Sequence, residues 1–353
     1  ALADFLMDPR VKIDCIICDE SHRIKSPASK CSRFLSRLSR KTRNRYLVTG
    51  TPLAETPVDI YAQYRFLEPS IFGTSLTRFK DRYLNIDARR SMAVGYPILD
   101  AKEPYKHLDE LHDKMFSIAF RIPSSVKLPH RKNIIRGYRL DSKTSKLYRK
   151  LCKDGALVLP QGVVESDNPL TLMLRKRQFT SGTVPVINDE DKQIPVSVCN
   201  SREEILSDLL EGLPKDEPVV IFAEFRADFD RIRSVAQQLR RGYSEISGHE
   251  NTEREWQDGK TSILAVQYNL GSESIDLTRA HYCIYYTMTN RLSLYLQSKK
   301  RTHRPGQTKD CIYYYIVADL DDGSPTIDRL IIDAVRHKQD IVDYVMQIEN
   351  PPE

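Results

Sequence analysis

Apolar residues fall into short runs set between longer amphipathic stretches. Residues 13–18 and 45–49 are apolar runs that stop at polar residues, the pattern of strands buried in a parallel sheet. Between them Cys31, Phe34, Leu35 and Leu38 recur at helical spacing within 29–38. Strand, helix, strand predicts a βαβ unit. Residues 59–112 read as helical, with Ile60, Tyr64 and Leu67 on one face and Pro57, Pro69, Pro97 and Pro104 as interruptions. The basic stretch 123–139 holds two prolines and reads as a connector. Helical patterns at 141–159 and 170–179 flank a loop with Pro and Gly, and 180–200 shows no period and reads as a loop.

A second alternation of strands and helices follows. Residues 218–222, 262–266, 281–286 and 311–317 read as strands, with a weaker one at 243–247. Phe229, Ile232, Val235 and Leu239 give 228–239 an apolar helical face, and 292–301 and 326–348 are also helical. Repeated βα units imply an α/β fold of two parallel-sheet lobes joined by helical material. The expected divisions are 1–125, 126–215 as connector and helical elements, and 216–353.

Composition narrows the class. At 353 residues the chain suits two domains, and 40% hydrophobic with 29% charged residues excludes global disorder and fibrous structure. Lys and Arg number 54 against 48 Asp and Glu, and the net charge of +6 permits a polyanion partner without demanding one. No run of apolar residues is long enough for a transmembrane helix, and the first ten residues lack a signal-peptide layout. Seven irregularly spaced cysteines suit a reducing compartment. Cys15 and Cys18 lie in a strand-like run and read as core rather than as a zinc pair. The chain starts with Ala and a strand-like run begins almost at once, so the natural N-terminus is expected upstream.

Chemistry gathers at the strand ends. Asp19-Glu20-Ser21-His22 follows the first strand, placing two carboxylates where α/β sheets bind ligands. An Asp there can hold Mg²⁺ through water, and the adjacent Glu can polarise a water for attack on a γ-phosphate. Acidic residues also suit an ordinary helix N-terminus. Thr49-Gly50-Thr51-Pro52 ends the neighbouring strand and should share its rim. The small residues of 271–277, starting at Gly271, could approach a phosphate closely or form a plain βα loop. Arg301 and Arg304, three apart, are expected on one helical face, as phosphate ligands or as a solvated basic helix end.

Taken in order, these segments resemble the Swi/Snf-like ATP-dependent DNA translocases of helicase superfamily two. Residues 19–22 are similar to that family's Asp-Glu-Ala-His box, 47–53 to its third motif, 220–225 to its fourth and 271–277 to its fifth. Residues 297–307 resemble its sixth. The resemblance implies two RecA-like lobes with helical insertions, ATP and Mg²⁺ as cofactors, and duplex DNA as partner through its phosphate backbone. It implies Asp19 as the Mg²⁺ residue, Glu20 as the water-positioning residue, and Arg301 and Arg304 as arginine fingers. Gly271 and Gln297 would bind nucleotide, and His22, Thr49, Gly50 and Thr51 would couple its state to movement. Ser21 stands where the family has Ala, and Ser274 where Gly is usual.

The family's phosphate loop is not among these residues. The single Gly259-Lys260-Thr261 has Arg254 where the motif needs its first Gly, and a strand follows rather than a helix. The expectation is therefore the C-terminal part of a motor whose first lobe is truncated, inactive by itself. A strand-separating DNA or RNA helicase, or a non-catalytic nucleic-acid-binding module, are the other classes. The resemblance implies a cytoplasmic or nucleoid-associated protein in a bacterial or virus-infected cell, or a nuclear one in a eukaryote.

Overall fold

The computed structural model describes residues 2–94, 98–122, 126–270 and 275–346. The chain divides into two compact units, Ala1–Pro123 with His337–Pro352, and Ser124–Arg336.

In the first unit, β1 (Cys15–Asp19) and β2 (Asn44–Val48) pair in parallel, with Asp19 opposite Val48. The helix Lys30–Leu38 connects them, opened by Ser29, whose hydroxyl accepts from the Ser32 N–H at 3.1 Å. The expected βαβ unit is present, but its strands are not buried on both faces. Ile17, Tyr46 and Val48 are 66%, 56% and 53% exposed. The sheet has two strands among the described residues, so nothing in the unit covers that face. The remaining helices bury a second cluster that includes Tyr61, Tyr64, Phe79, Tyr83 and Leu111. Phe72 meets Phe79 edge-on at 5.3 Å. Pro69 opens the short helix Pro69–Phe72, where a missing N–H costs nothing. The end of the long helix Ile327–Met346 closes the unit: Lys338 pairs with Glu55 at 3.1 Å, and His112 Nδ1 lies 2.7 Å from the Val345 carbonyl oxygen.

Among the described residues the second unit holds the other ten strands: β3 (Arg131–Arg139), β4 (Leu157–Leu159), β5 (Gly162–Val164), β6 (Thr183–Ile187), β7 (Gln193–Ser197), β8 (Val219–Ala223), β9 (Tyr243–Ile246), β10 (Ile263–Gln267), β11 (Tyr282–Tyr285) and β12 (Cys311–Asp319). Six form one sheet in the order β3-β12-β11-β8-β10-β9, parallel throughout. The α/β fold expected from the alternation is therefore present. Every residue of β8 is buried, as a central parallel strand requires. One face packs Phe229, Ile232 and Val235 of the helix Arg226–Gln238. An aromatic group lies deep in the unit, where Tyr285 stacks on Phe222 at 5.3 Å and on Tyr315 at 4.9 Å. Tyr313 and Tyr315 are thus part of the core.

Two stretches differ from expectation. The connector at 123–139 contains β3, which pairs with β12 along its whole length at the sheet edge. Edge strands carry charge to discourage further pairing, and that charge hid the strand. The stretches at 157–164 and 183–197 form an antiparallel sheet, β4-β5-β6-β7, where the end of a helix and two loops were expected. Pro185 and Pro195 face each other in it. Neither can donate, so their pair needs no ladder bonds, and the prolines that argue against a strand are tolerated. Gly162 turns the first hairpin at φ 136°, where a Cβ would stand 2.0 Å from the Ile187 carbonyl oxygen. Val184, Val186 and Val196 pack beneath Tyr148, Leu151 and Phe179 as a separate core.

Candidate functional site

The register of β1 and β2 places the Asp-Glu box and the Thr-Gly-Thr turn on one rim of the first unit. Asp19 is the last residue of β1 and is exposed. Its Oδ1 accepts from the Glu20 N–H at 2.8 Å. Glu20 then takes a left-handed conformation, φ 50° and ψ 50°, and starts the single turn Ser21–Ile24. Such a conformation costs a non-glycine residue on the order of 1–3 kcal/mol and concentrates at functional sites. It turns the chain sharply enough for His22 to reach both motifs. His22 Nδ1 lies 3.1 Å from Glu20 Oε2 and 3.2 Å from Thr49 Oγ1. Thr49 Oγ1 in turn accepts from the buried Thr51 N–H at 3.1 Å. Glu20, His22, Thr49 and Thr51 thus form one polar chain, with Gly50 in the turn between its last two members.

The sequence offered no role for Gln63, yet it ties this rim together. Its amide donates to the Pro52 carbonyl at 2.7 Å and to the Asp59 carbonyl at 2.9 Å, and its oxygen accepts from Ser21 at 2.8 Å. The hydroxyl that departs from the family's Ala therefore has a use. The available signal was a glutamine on the apolar face defined by Ile60, Tyr64 and Leu67.

A donor set for Mg²⁺ at this rim is chemically reasonable. Among the described residues no group of three or more His, Cys, Asp or Glu could hold a metal. Mg²⁺ keeps most of its waters and needs only one or two carboxylates, which an exposed Asp19 can supply.

In the second unit the sixth-motif helix runs Leu292–Thr302. Gln297 and Arg301 are four apart on it and share a face, both half-buried. Arg304 does not join them on that helix as expected. His303 leaves helical geometry at ψ 81°, and Arg304 begins a turn closed by the Gln307 N–H donating to its carbonyl at 3.0 Å. The turn is held by Gln307, which is buried and donates to the Ala280 carbonyl at 2.9 Å and the Thr278 carbonyl at 3.1 Å. The Leu277 N–H donates to the Arg301 carbonyl at 3.1 Å, so the end of the fifth motif lies against the sixth. Burial pushes the Asp276 carboxyl up, but hydrogen bonds from Thr278 and the charge of Arg304 outweigh it, leaving it below the usual carboxylate range. His303 Nε2 lies 2.8 Å from the Pro129 carbonyl oxygen, an orienting contact. Gly271 lies outside the described residues.

Comparison with known proteins supplies the context. The SNF2-related domain matches residues 4–182, and the helicase conserved C-terminal domain matches 201–306. The DNA repair and recombination protein RDH54 of Saccharomyces cerevisiae is 24% identical over 332 residues, covering 86% of this chain and 35% of that protein. The CHD3-type chromatin-remodeling factor PICKLE of Arabidopsis thaliana is 25% identical, covering 87% of this chain and 22% of that protein. The chain thus spans about a third or less of the length of these two relatives. Among solved structures, the Sulfolobus solfataricus SWI2/SNF2 ATPase core in complex with dsDNA is 18% identical, with a TM-score of 0.42 over 98% of this chain and 71% of that one. With the SNF2-related domain matching half of its length and the helicase C-terminal domain following in order, the chain belongs to the SNF2-related family.

Proposed function

We propose that this chain is part of a motor that couples ATP hydrolysis to movement along duplex DNA. The polar chain from Glu20 through His22 and Thr49 to Thr51 carries the reading, because it joins a water-positioning carboxylate to the turn at the end of the next strand. Asp19 would hold Mg²⁺ through water, and Glu20 would orient the attacking water. Mg²⁺ held there would supply positive charge against the phosphate charge that develops in the transition state. Arg301 and Arg304 would pair with the γ-phosphate oxygens in the transition state, where a guanidinium gains most. Gly271 and Gln297 would help to bind nucleotide. His22 would pass a change at Glu20 to Thr49, Gly50 and Thr51 as a shift in hydrogen bonding. The exposed face at Ile17, Tyr46 and Val48 would receive further strands, from residues preceding Ala1, that carry the phosphate loop.

DNA would be gripped through its phosphates, so affinity should fall steeply with salt. One relative is a DNA repair and recombination protein and another a chromatin-remodeling factor, which agrees with such a partner and with a nuclear location in a eukaryote. The test uses the protein with its upstream residues. DNA-stimulated ATP turnover and triplex displacement are expected, and both should vanish in Glu20→Gln. Turnover that survives Glu20→Gln would overturn the assignment. Separation of duplex strands would favour a helicase over a translocase.

A further inference from the structure

The Gly259-Lys260-Thr261 tripeptide is no phosphate loop, but it lines a cavity of its own. The cavity has a volume of about 130 Å³ and is bounded by Lys215, Asp216, Arg240, Arg241, Gly242 and residues 259–262. A single water needs only ~10–15 Å³ by that measure, so a tetrahedral oxyanion has room. It sits just before β9 and β10, at the amino ends of those strands and away from the motif-bearing carboxyl ends.

Its lining carries four cations against one carboxylate. Asp258 pairs with Lys260 at 3.3 Å and offsets one more charge, which leaves an excess of two. Arg241 is the informative member. It is 7% exposed, yet no carboxylate bonds to it. Its guanidinium donates to the Leu210 carbonyl at 2.9 Å, the Glu217 carbonyl at 2.8 Å and the Ser262 hydroxyl at 3.4 Å. Those three bonds leave two of the five guanidinium N–H groups without an acceptor among the described residues. Burial disfavours the Arg241 charge more than the nearby carboxylates of Asp216 and Glu217 restore it, so a further anion would be welcome there.

The backbone is shaped to the same place. Arg240 takes a left-handed conformation at φ 51°. A Cβ on Gly242 would stand 2.8 Å from the Thr261 Cα, so only glycine lets these two segments approach. Arg240 and Arg241 follow the end of the helix Arg226–Gln238 and so complement its dipole. That accounts for their sign. It does not account for Lys215 and Lys260, which come from other segments.

We infer that this cavity is an anion site that takes a phosphate group, with Arg241 at its base and Lys215 and Lys260 at its mouth. A free phosphate and a nucleic-acid phosphate share that chemistry. The experiment separates them. The 353-residue chain is titrated with inorganic phosphate at constant ionic strength, with binding followed by calorimetry and by the rise in melting temperature. Lys215→Gln with Lys260→Gln should weaken phosphate binding by at least about tenfold, since each charge-assisted hydrogen bond supplies that much. Both side chains are exposed, so the fold should survive. Lys102→Gln with Lys192→Gln changes charge equally elsewhere and should leave binding intact. A short DNA duplex forms the second arm. Duplex affinity that falls in the pocket variant identifies the DNA backbone as the source, and unchanged duplex affinity with lost phosphate binding identifies a free anion. Phosphate binding absent from the parent, or equal in the two double variants, would overturn the site.

Discussion

β1 and β8 start from the same kind of run, five residues that are mostly Cys, Ile, Val and Phe, and end differently. Every residue of β8 is buried, whereas β1 alternates exposed with half-buried positions. The difference is company. β8 has a parallel strand on each side and a helical layer above it, while β1 has β2 alone among the described residues. An apolar run therefore announces a need for cover and not its presence. The partly bare strand is the one that ends in the Asp-Glu box.

Turnover gives the largest effect with which to test that contrast. Residues 1–353 alone should hydrolyse no ATP above background, because the β1–β2 pair carries no phosphate loop. In the protein with its upstream residues, Arg304→Ala should lower turnover on the order of 10³-fold while duplex binding is kept. Arg304→Lys should rescue little, since it lacks the planar fork. A loss within about threefold would return Arg304 to the status of a solvated turn residue.

Stability sharpens the contrast directly. Ile221→Ala in β8 should cost about 2–5 kcal/mol by urea denaturation. Ile17→Ala should cost no more than about 0.5 kcal/mol in this chain, since the side chain is largely exposed. With the upstream residues restored, Ile17→Ala should approach the cost of Ile221→Ala. An unchanged small cost there would mean that no strand covers β1.

At the rim of the first unit the expected effect is smaller. Ser21→Ala leaves the Gln63 oxygen buried without its donor, and should cost about 1–3 kcal/mol. Replacing both Ser21 and Gln63 with apolar residues should cost less than the sum of the two single changes.

Acid should separate the units most gently. Burial lowers the pKa of His281 in the second unit from its usual 6.5, against the opposing charge of Glu217, whose Oε1 is 3.2 Å away; Lys309 adds to the lowering. A depressed pKa means that the unfolded chain binds the proton first. This contribution is therefore full above pH 6.5 and declines as pH falls below it. In the first unit Arg82, then Lys114, pull Glu110 down to about 2, so its contribution is full above 4.5 and is lost as pH falls towards 2. Melting followed at falling pH should show His281→Gln flattening the first decline and leaving the second in place.

Much of this arrangement could be read from residues alone. The parallel strands were legible because apolar runs stop where the motif residues start, as at Cys18-Asp19 and Val48-Thr49. The misses have physical causes. Charge at a sheet edge concealed β3, and paired prolines concealed β6 and β7. The helical spacing of Arg301 and Arg304 misled because His303 leaves the helix between them. Glu20 at φ 50° has no signature in sequence, since only its neighbours' bonds hold it there. Gln63 shows as polar on an apolar face, but its three partners come from the box, the next turn and its own helix.

The helix Ile327–Met346 begins in the second unit and ends in the first, where Lys338 and Val345 meet Glu55 and His112. This makes the first unit discontinuous in the chain and the second continuous. On a ribosome, the second unit can be complete while the first still waits for its closing residues. The Asp-Glu rim belongs to the unit that needs both segments, so a chain cut before His337 would keep every strand of the six-stranded sheet and leave the unit with the rim unclosed.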